Sequence, residues 1–119
     1  MKKCAVAMVL LIVFAGGGSD ALSQTQSETN RQAAAEFERA DGQLNNVYSK
    51  VLGAASDVGV ERRRKLVEAE RAWLVYRDVE AEYEADEYRG GSIRPMVYDE
   101  ALATLTNERI KTLRSLLTN

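Results

Sequence analysis

Apolar residues recur at intervals of three and four along three stretches of the chain, the repeat expected of helices with one buried face. Phe37, Ala40, Leu44, Val47, Val51 and Ala55 predict a first helix over about 27–55. Leu66, Ala69, Trp73, Tyr76, Val79 and Tyr83 form a stripe predicting a second over about 60–88, and Leu102, Leu105, Leu113 and Leu116 a third over about 93–117. The strong breaks are Gly53 to Gly59 and Gly90-Gly91-Ser92, and Ser56 or Asp57 is expected to cap the second helix. Pro95, the sole proline, falls in the first turn of the third helix, where a missing N–H is harmless. Connections this short favour antiparallel neighbours, so the expected fold is all-α, a three-helix up-down-up antiparallel bundle.

The pattern changes at the start of the chain. Lys2 and Lys3 precede an apolar run from Cys4 to Ala15, and Ala21-Leu22-Ser23 forms a small-x-small site, so residues 1–23 are expected to be a cleaved signal peptide. A spanning helix needs about 20 apolar residues, and Gly16, Gly17 and Gly18 break this run well short of that, so no stable membrane anchor is expected. Cys4 also lacks a lipoprotein-type Leu-x-x-Cys context. The organisation expected is a signal peptide over 1–23, a flexible start over 24–27 and one helical domain over 28–119, in a periplasmic or secreted protein.

Removing residues 1–23 takes away the only cysteine, and the sequence has no histidine. The remaining 96 residues, with 14 basic and 17 acidic side chains, have no disulfide, thiolate nucleophile, imidazole base or usual zinc or copper ligand set. Most enzyme classes fall away, and neither a cofactor nor a metal is expected. Glu80 and Glu84, four apart on a helix, are the nearest thing to an acid-base pair, but nothing fixes a substrate beside them. The acidic run lacks a loop with calcium-ligand spacing. Arg62 to Lys65 is too short a basic tract to argue for nucleic acid.

Counting helical rise from each expected helix end puts Asp41, Trp73, Arg77 and Arg109 at one level of the bundle. Arg109 lies between Leu105 and Leu113, so its guanidinium is expected near the core, paired with Asp41 first or Asp78 second, because a buried unpaired charge costs several kcal/mol. Arg77 is expected to stack on Trp73 at the surface, and Trp73, Tyr48 and Tyr76 to serve the core.

Four short elements in a fixed order resemble the LprI-like family of small exported helical proteins, whose namesake inhibits lysozyme. They are Asp41, Leu44, Asn45 and Tyr48; Arg71, Trp73, Arg77 and Asp78; the turn Gly90, Gly91 and Ser92; and Thr106, Arg109 and Leu113. The resemblance implies a helical extracytoplasmic domain that binds a protein, with a lysozyme as the partner, and carries no catalytic residue. Many relatives carry a cysteine pair where this chain has Ala81 and Ala101, which read as a disulfide replaced by two small residues.

Charge adds a candidate surface. Asp78, Glu80, Glu82, Glu84, Asp86 and Glu87 follow one another without a basic residue, whereas Arg62, Arg63, Arg64 and Lys65 open the same helix, an order that opposes the helix dipole. In the expected bundle one end (28–41, 77–89 and 94–100) carries net −7 and the other (42–57, 61–71 and 101–119) net +4. Glu80, Tyr83, Glu84, Asp86, Glu87, Tyr88, Arg89, Gly90, Gly91 and Ser92 are therefore the expected partner-binding residues. Either the acidic face covers a basic muramidase from outside, or the turn enters its cleft with Arg89 facing a catalytic carboxylate. The alternative is a structural or stress-related envelope protein that inhibits no lysozyme. The sequence leaves the oligomeric state open.

Overall fold

A computed structural model describes residues 18–118. The basic start and apolar run of the expected signal peptide lie outside them. All regular structure among the described residues is helical: α1 (Gly18–Val58), α2 (Val60–Ala85), a single 3-10 turn (Asp86–Tyr88) and α3 (Arg94–Ser115). The chain is the three-helix bundle that the periodicity predicts. Cross-helix pairs mark the antiparallel turns: Arg77 meets Asp41 at equal distance on either side of Gly59, and Arg109 meets Glu70 across the glycine turn.

Gly59 alone separates α1 from α2. Its φ of 150° and ψ of 165° form a backbone state essentially confined to glycine, which reverses the chain in one residue. Neither Ser56 nor Asp57 caps α2, because both lie inside α1, and Gly59 occupies the cap position without a side-chain hydrogen bond. Gly53 does not break α1 either. Burial of Val51 and Ala55 on either side outweighs the cost of about 1 kcal/mol that a glycine imposes on a helix interior. At the other end α1 starts nine residues before position 27, so residues 24–27, expected to be loose, are helical; Thr29 donates to the Thr25 carbonyl at 2.8 Å, and Gln26 to the Asn30 side chain at 2.9 Å.

The core is built mainly by α1 and α3. Leu44, Val47 and Val51 pack with Ile110 and Leu113, and Tyr48, Leu66 and Trp73 close over them. Towards the glycine turn, Ala81, Ala101 and Leu102 form a second cluster with Phe37 and Tyr98 against it. The α1 stripe is buried as its spacing requires, with Phe37 partly so. In α3, Leu102 and Leu113 are buried and Leu105 half-buried, but Leu116 is 46% exposed because α3 has ended at Ser115.

The main departure lies in α2. Its buried residues are Glu70, Arg77, Ala81 and Ala85, whereas Tyr76, Val79 and Tyr83 of the expected core stripe are exposed, together with Val75. Two causes set this rotation. Ala81 and Ala85 allow close approach where Tyr83 would not, and Glu70 and Arg77 find complementary groups on the facing helices.

Candidate functional site

Two sets of polar residues stand out, one buried in mid-bundle and one exposed at the glycine turn. The buried set contains most of the charged sequence motif. Arg77 is 8% exposed, and it donates from a terminal nitrogen to Asp41 at 3.1 Å and from Nε to Asp78 at 2.9 Å, with a longer 3.5 Å contact to the fully buried Thr106 hydroxyl. Its guanidinium carbon lies 5.1 Å from the Phe37 ring centre and 5.4 Å from that of Trp73. Arg109 reaches the same Trp73 ring at 5.6 Å and donates from Nε to Glu70 at 2.9 Å.

A mid-bundle layer around Trp73 therefore exists, but its pairing differs from the expected one. Arg109 pairs with Glu70, not with Asp41 or Asp78, both of which are held by Arg77. Arg109 lies nearly one turn beyond Thr106, the residue level with Arg77, and so falls opposite Glu70. Arg77 is correspondingly a buried group and not a surface stack. Glu70 is the residue sequence reasoning missed. The signal was its ridge, since Glu70, Trp73 and Arg77 follow at three and four.

The other motif positions divide by exposure. Leu44, Thr106 and Leu113 are fully buried, Tyr48 packs on the core, and Asn45 and Arg71 face solvent. Ala81 and Ala101 lie in one cluster. No buried polar side-chain atom among the described residues lacks a partner, so the layer offers no open donor or acceptor for a ligand.

The exposed set lies where α2 ends. The turn that follows is tightly specified: Gly91 N–H donates to the Tyr88 carbonyl at 2.8 Å, and Gly90 adopts a φ of 80°. A Cβ on Gly91 would come within 3.1 Å of that same carbonyl oxygen. Asn30 of α1 donates to the Ser92 carbonyl at 3.2 Å, and Arg94 pairs with Glu82 at 2.7 Å, so the turn is tied to all three helices.

Around this turn the acidic residues stand outward. Tyr83, Glu84, Asp86, Glu87 and Tyr88 line a shallow groove of about 430 Å³ with Val97. Slight desolvation and the neighbouring Glu80 raise the carboxyl of the exposed Glu84 above its ordinary value. Burial, followed by the charge of Glu38, does the same to Asp99. Burial and the charges of Asp78, Glu82 and Asp99 push the Tyr98 phenol up. The predominant local field is negative. Arg89 is no free probe in this surface, since it donates to Asp86 from Nε at 3.0 Å and from a terminal nitrogen at 2.7 Å.

Among the described residues no group of three His, Cys, Asp or Glu side chains is placed to hold a metal, and no helix is long and apolar enough to cross a membrane. The exposed set forms an acidic, aromatic patch at one end of the helical bundle.

A protein of Rhizobium meliloti (strain 1021) described as uncharacterized is 33% identical over 103 residues, which cover 78% of this chain and 74% of its own. No solved structure matches the chain. The model of the family described as lysozyme inhibitor LprI matches residues 19–113, nearly all of the bundle. The chain belongs to the LprI lysozyme-inhibitor family.

Proposed function

We propose that this protein is an exported, non-enzymatic binding protein of the periplasm that blocks a basic muramidase with the acidic end of its bundle. The observation that carries this reading is the groove at the glycine turn, where exposed Tyr83 and Tyr88 stand among Glu84, Asp86 and Glu87. Tyrosines supply contact area at low entropic cost, and a one-signed field steers a basic partner and raises its encounter rate. Family membership supports a lysozyme as that partner. Contact by the acidic face is the better mode, because insertion of Arg89 into a cleft would first have to break its pair with Asp86.

The test is residual muramidase activity of several lysozyme types titrated with the purified protein. Inhibition at stoichiometric ratios supports the reading, while no inhibition of any type leaves a structural envelope protein. The mode is separated by variants: E84K/E87K should weaken inhibition and flatten its salt dependence, whereas R89A should change little. The reverse pattern would move the site to the turn.

A further inference from the structure

We propose that α2 is also a self-association surface, on which two copies of this chain pair in antiparallel orientation. The helix is inverted relative to an ordinary bundle helix, with Glu70 and Arg77 buried while Val75 is 65% exposed, Tyr76 53%, Val79 62% and Tyr83 75%. With Ala72 these fall within about 100° of arc at 3.6 residues per turn, an unpartnered seam some three turns long. A contiguous exposed apolar stripe of this kind marks an interaction surface.

The charges beside the seam identify its occupant. Arg62 and Glu87, Lys65 and Glu84, and Arg71 and Asp78 each lie equally far on either side of one point between Leu74 and Val75. Charge is antisymmetric about that point for these three pairs, with Glu87 in the 3-10 turn that follows α2, while Glu61, Glu68, Glu80 and Glu82 have no basic counterpart. In the monomer this order is unfavourable, because bases stand at the positive end of the helix dipole and acids at the negative end. A second copy related by a two-fold axis through that point sets Arg62, Lys65 and Arg71 level with Glu87, Glu84 and Asp78 of its partner. A parallel pair would set like charges together. Flanking charges choose orientation in this way in paired helices, and a self-complementary patch is what a two-fold interface requires. The seam fits as well: Val79 and Tyr83 of the other copy fall level with positions 70 and 66, on either side of the small Ala69.

This inference does not rest on the muramidase reading, although Tyr83, Glu84 and Glu87 serve both surfaces, so pairing would compete with a partner there. Sedimentation equilibrium of the purified protein at low salt tests it without any muramidase. The mass should rise toward twice that of one chain between micromolar and millimolar concentration, and added salt should weaken the association. Val79→Asp lies on an exposed position, and it should lower the association constant roughly tenfold or more. R62E/K65E and E84K/E87K should each be monomeric, and an equimolar mixture of the two should recover the dimer, since every contact is then again between opposite charges. A wild-type protein that stays monomeric throughout, a V79D variant that associates like wild type, or a mixture no better than its separate components would each overturn the proposal.

Discussion

Glu70 of α2 accepts a hydrogen bond from Nε of Arg109 of α3 at 2.9 Å, and the two side chains are only 7% and 16% exposed. Withdrawn from solvent to this degree, each charge depends on the other. Glu70→Ala leaves a guanidinium uncompensated beside Trp73 and should cost about 3 to 5 kcal/mol of stability. Glu70→Leu with Arg109→Met should recover most of that loss, since an apolar pair of similar volume carries no desolvation penalty. Urea denaturation of the three variants checks this; a double variant no better than the single one would mean that packing, not charge, sets the cost.

Arg77 gathers two carboxylates, the Thr106 hydroxyl and two aromatic rings around one planar group. Lysine cannot reproduce that fork or its stacking. Arg77→Lys should therefore destabilise by about 2 kcal/mol, most of the loss expected from Arg77→Ala. Asp78→Asn removes only a half-exposed partner and should cost under about 1 kcal/mol. Thermal unfolding gives the ranking, and an Arg77→Lys protein as stable as wild type would refute the role assigned to the fork.

Ala81 and Ala101 share a cluster at 0% and 6% exposure. The double variant A81C/A101C should close spontaneously on oxidation and raise stability by roughly 3 kcal/mol, the entropy of a loop of this size. Thiol titration with melting under oxidising and reducing conditions reads both outcomes. Thiols that stay free after oxidation would show that the two positions do not face each other closely enough to be bridged.

Glu84 and Asp99 both have carboxyls raised by desolvation and by a neighbouring acid. A raised carboxyl favours the protonated form on folding, so its ionisation costs stability at neutral pH, and that cost disappears as the pH falls below the unfolded-state value. Glu84→Gln and Asp99→Asn should accordingly be more stable than wild type at neutral pH and lose the advantage near about pH 3. Denaturant midpoints across this range check the sign. An advantage that grows on acidification would contradict it.

Much of the bundle was legible because helical periodicity is a local property. The α1 stripe from Ala40 to Ala55 is buried throughout, and Pro95 sits in the first turn of α3. The glycine turn was legible too, since a φ of 80° at Gly90 restricts the residue that can stand there. The arrival of Trp73, Arg77, Asp41 and Arg109 at one region followed from counting rise along antiparallel helices. Helix ends were less legible: α1 overran Gly53 because burial of its neighbours outweighed a weak local preference.

The sequence by itself determined which segments are helical, where the chain reverses and that one end of the bundle is acidic, since these follow from residue spacing, glycine backbone freedom and charge order. Only the tertiary structure decided how α2 is rotated, and with it that Glu70 receives Arg109 and that Val75, Tyr76, Val79 and Tyr83 face solvent. The rotation of a helix carrying both a charged and an apolar ridge is chosen by what the neighbouring helices offer. Here α1 and α3 offer Asp41, Thr106 and Arg109 together with the closely packed Ala101, and no property of α2 alone encodes that.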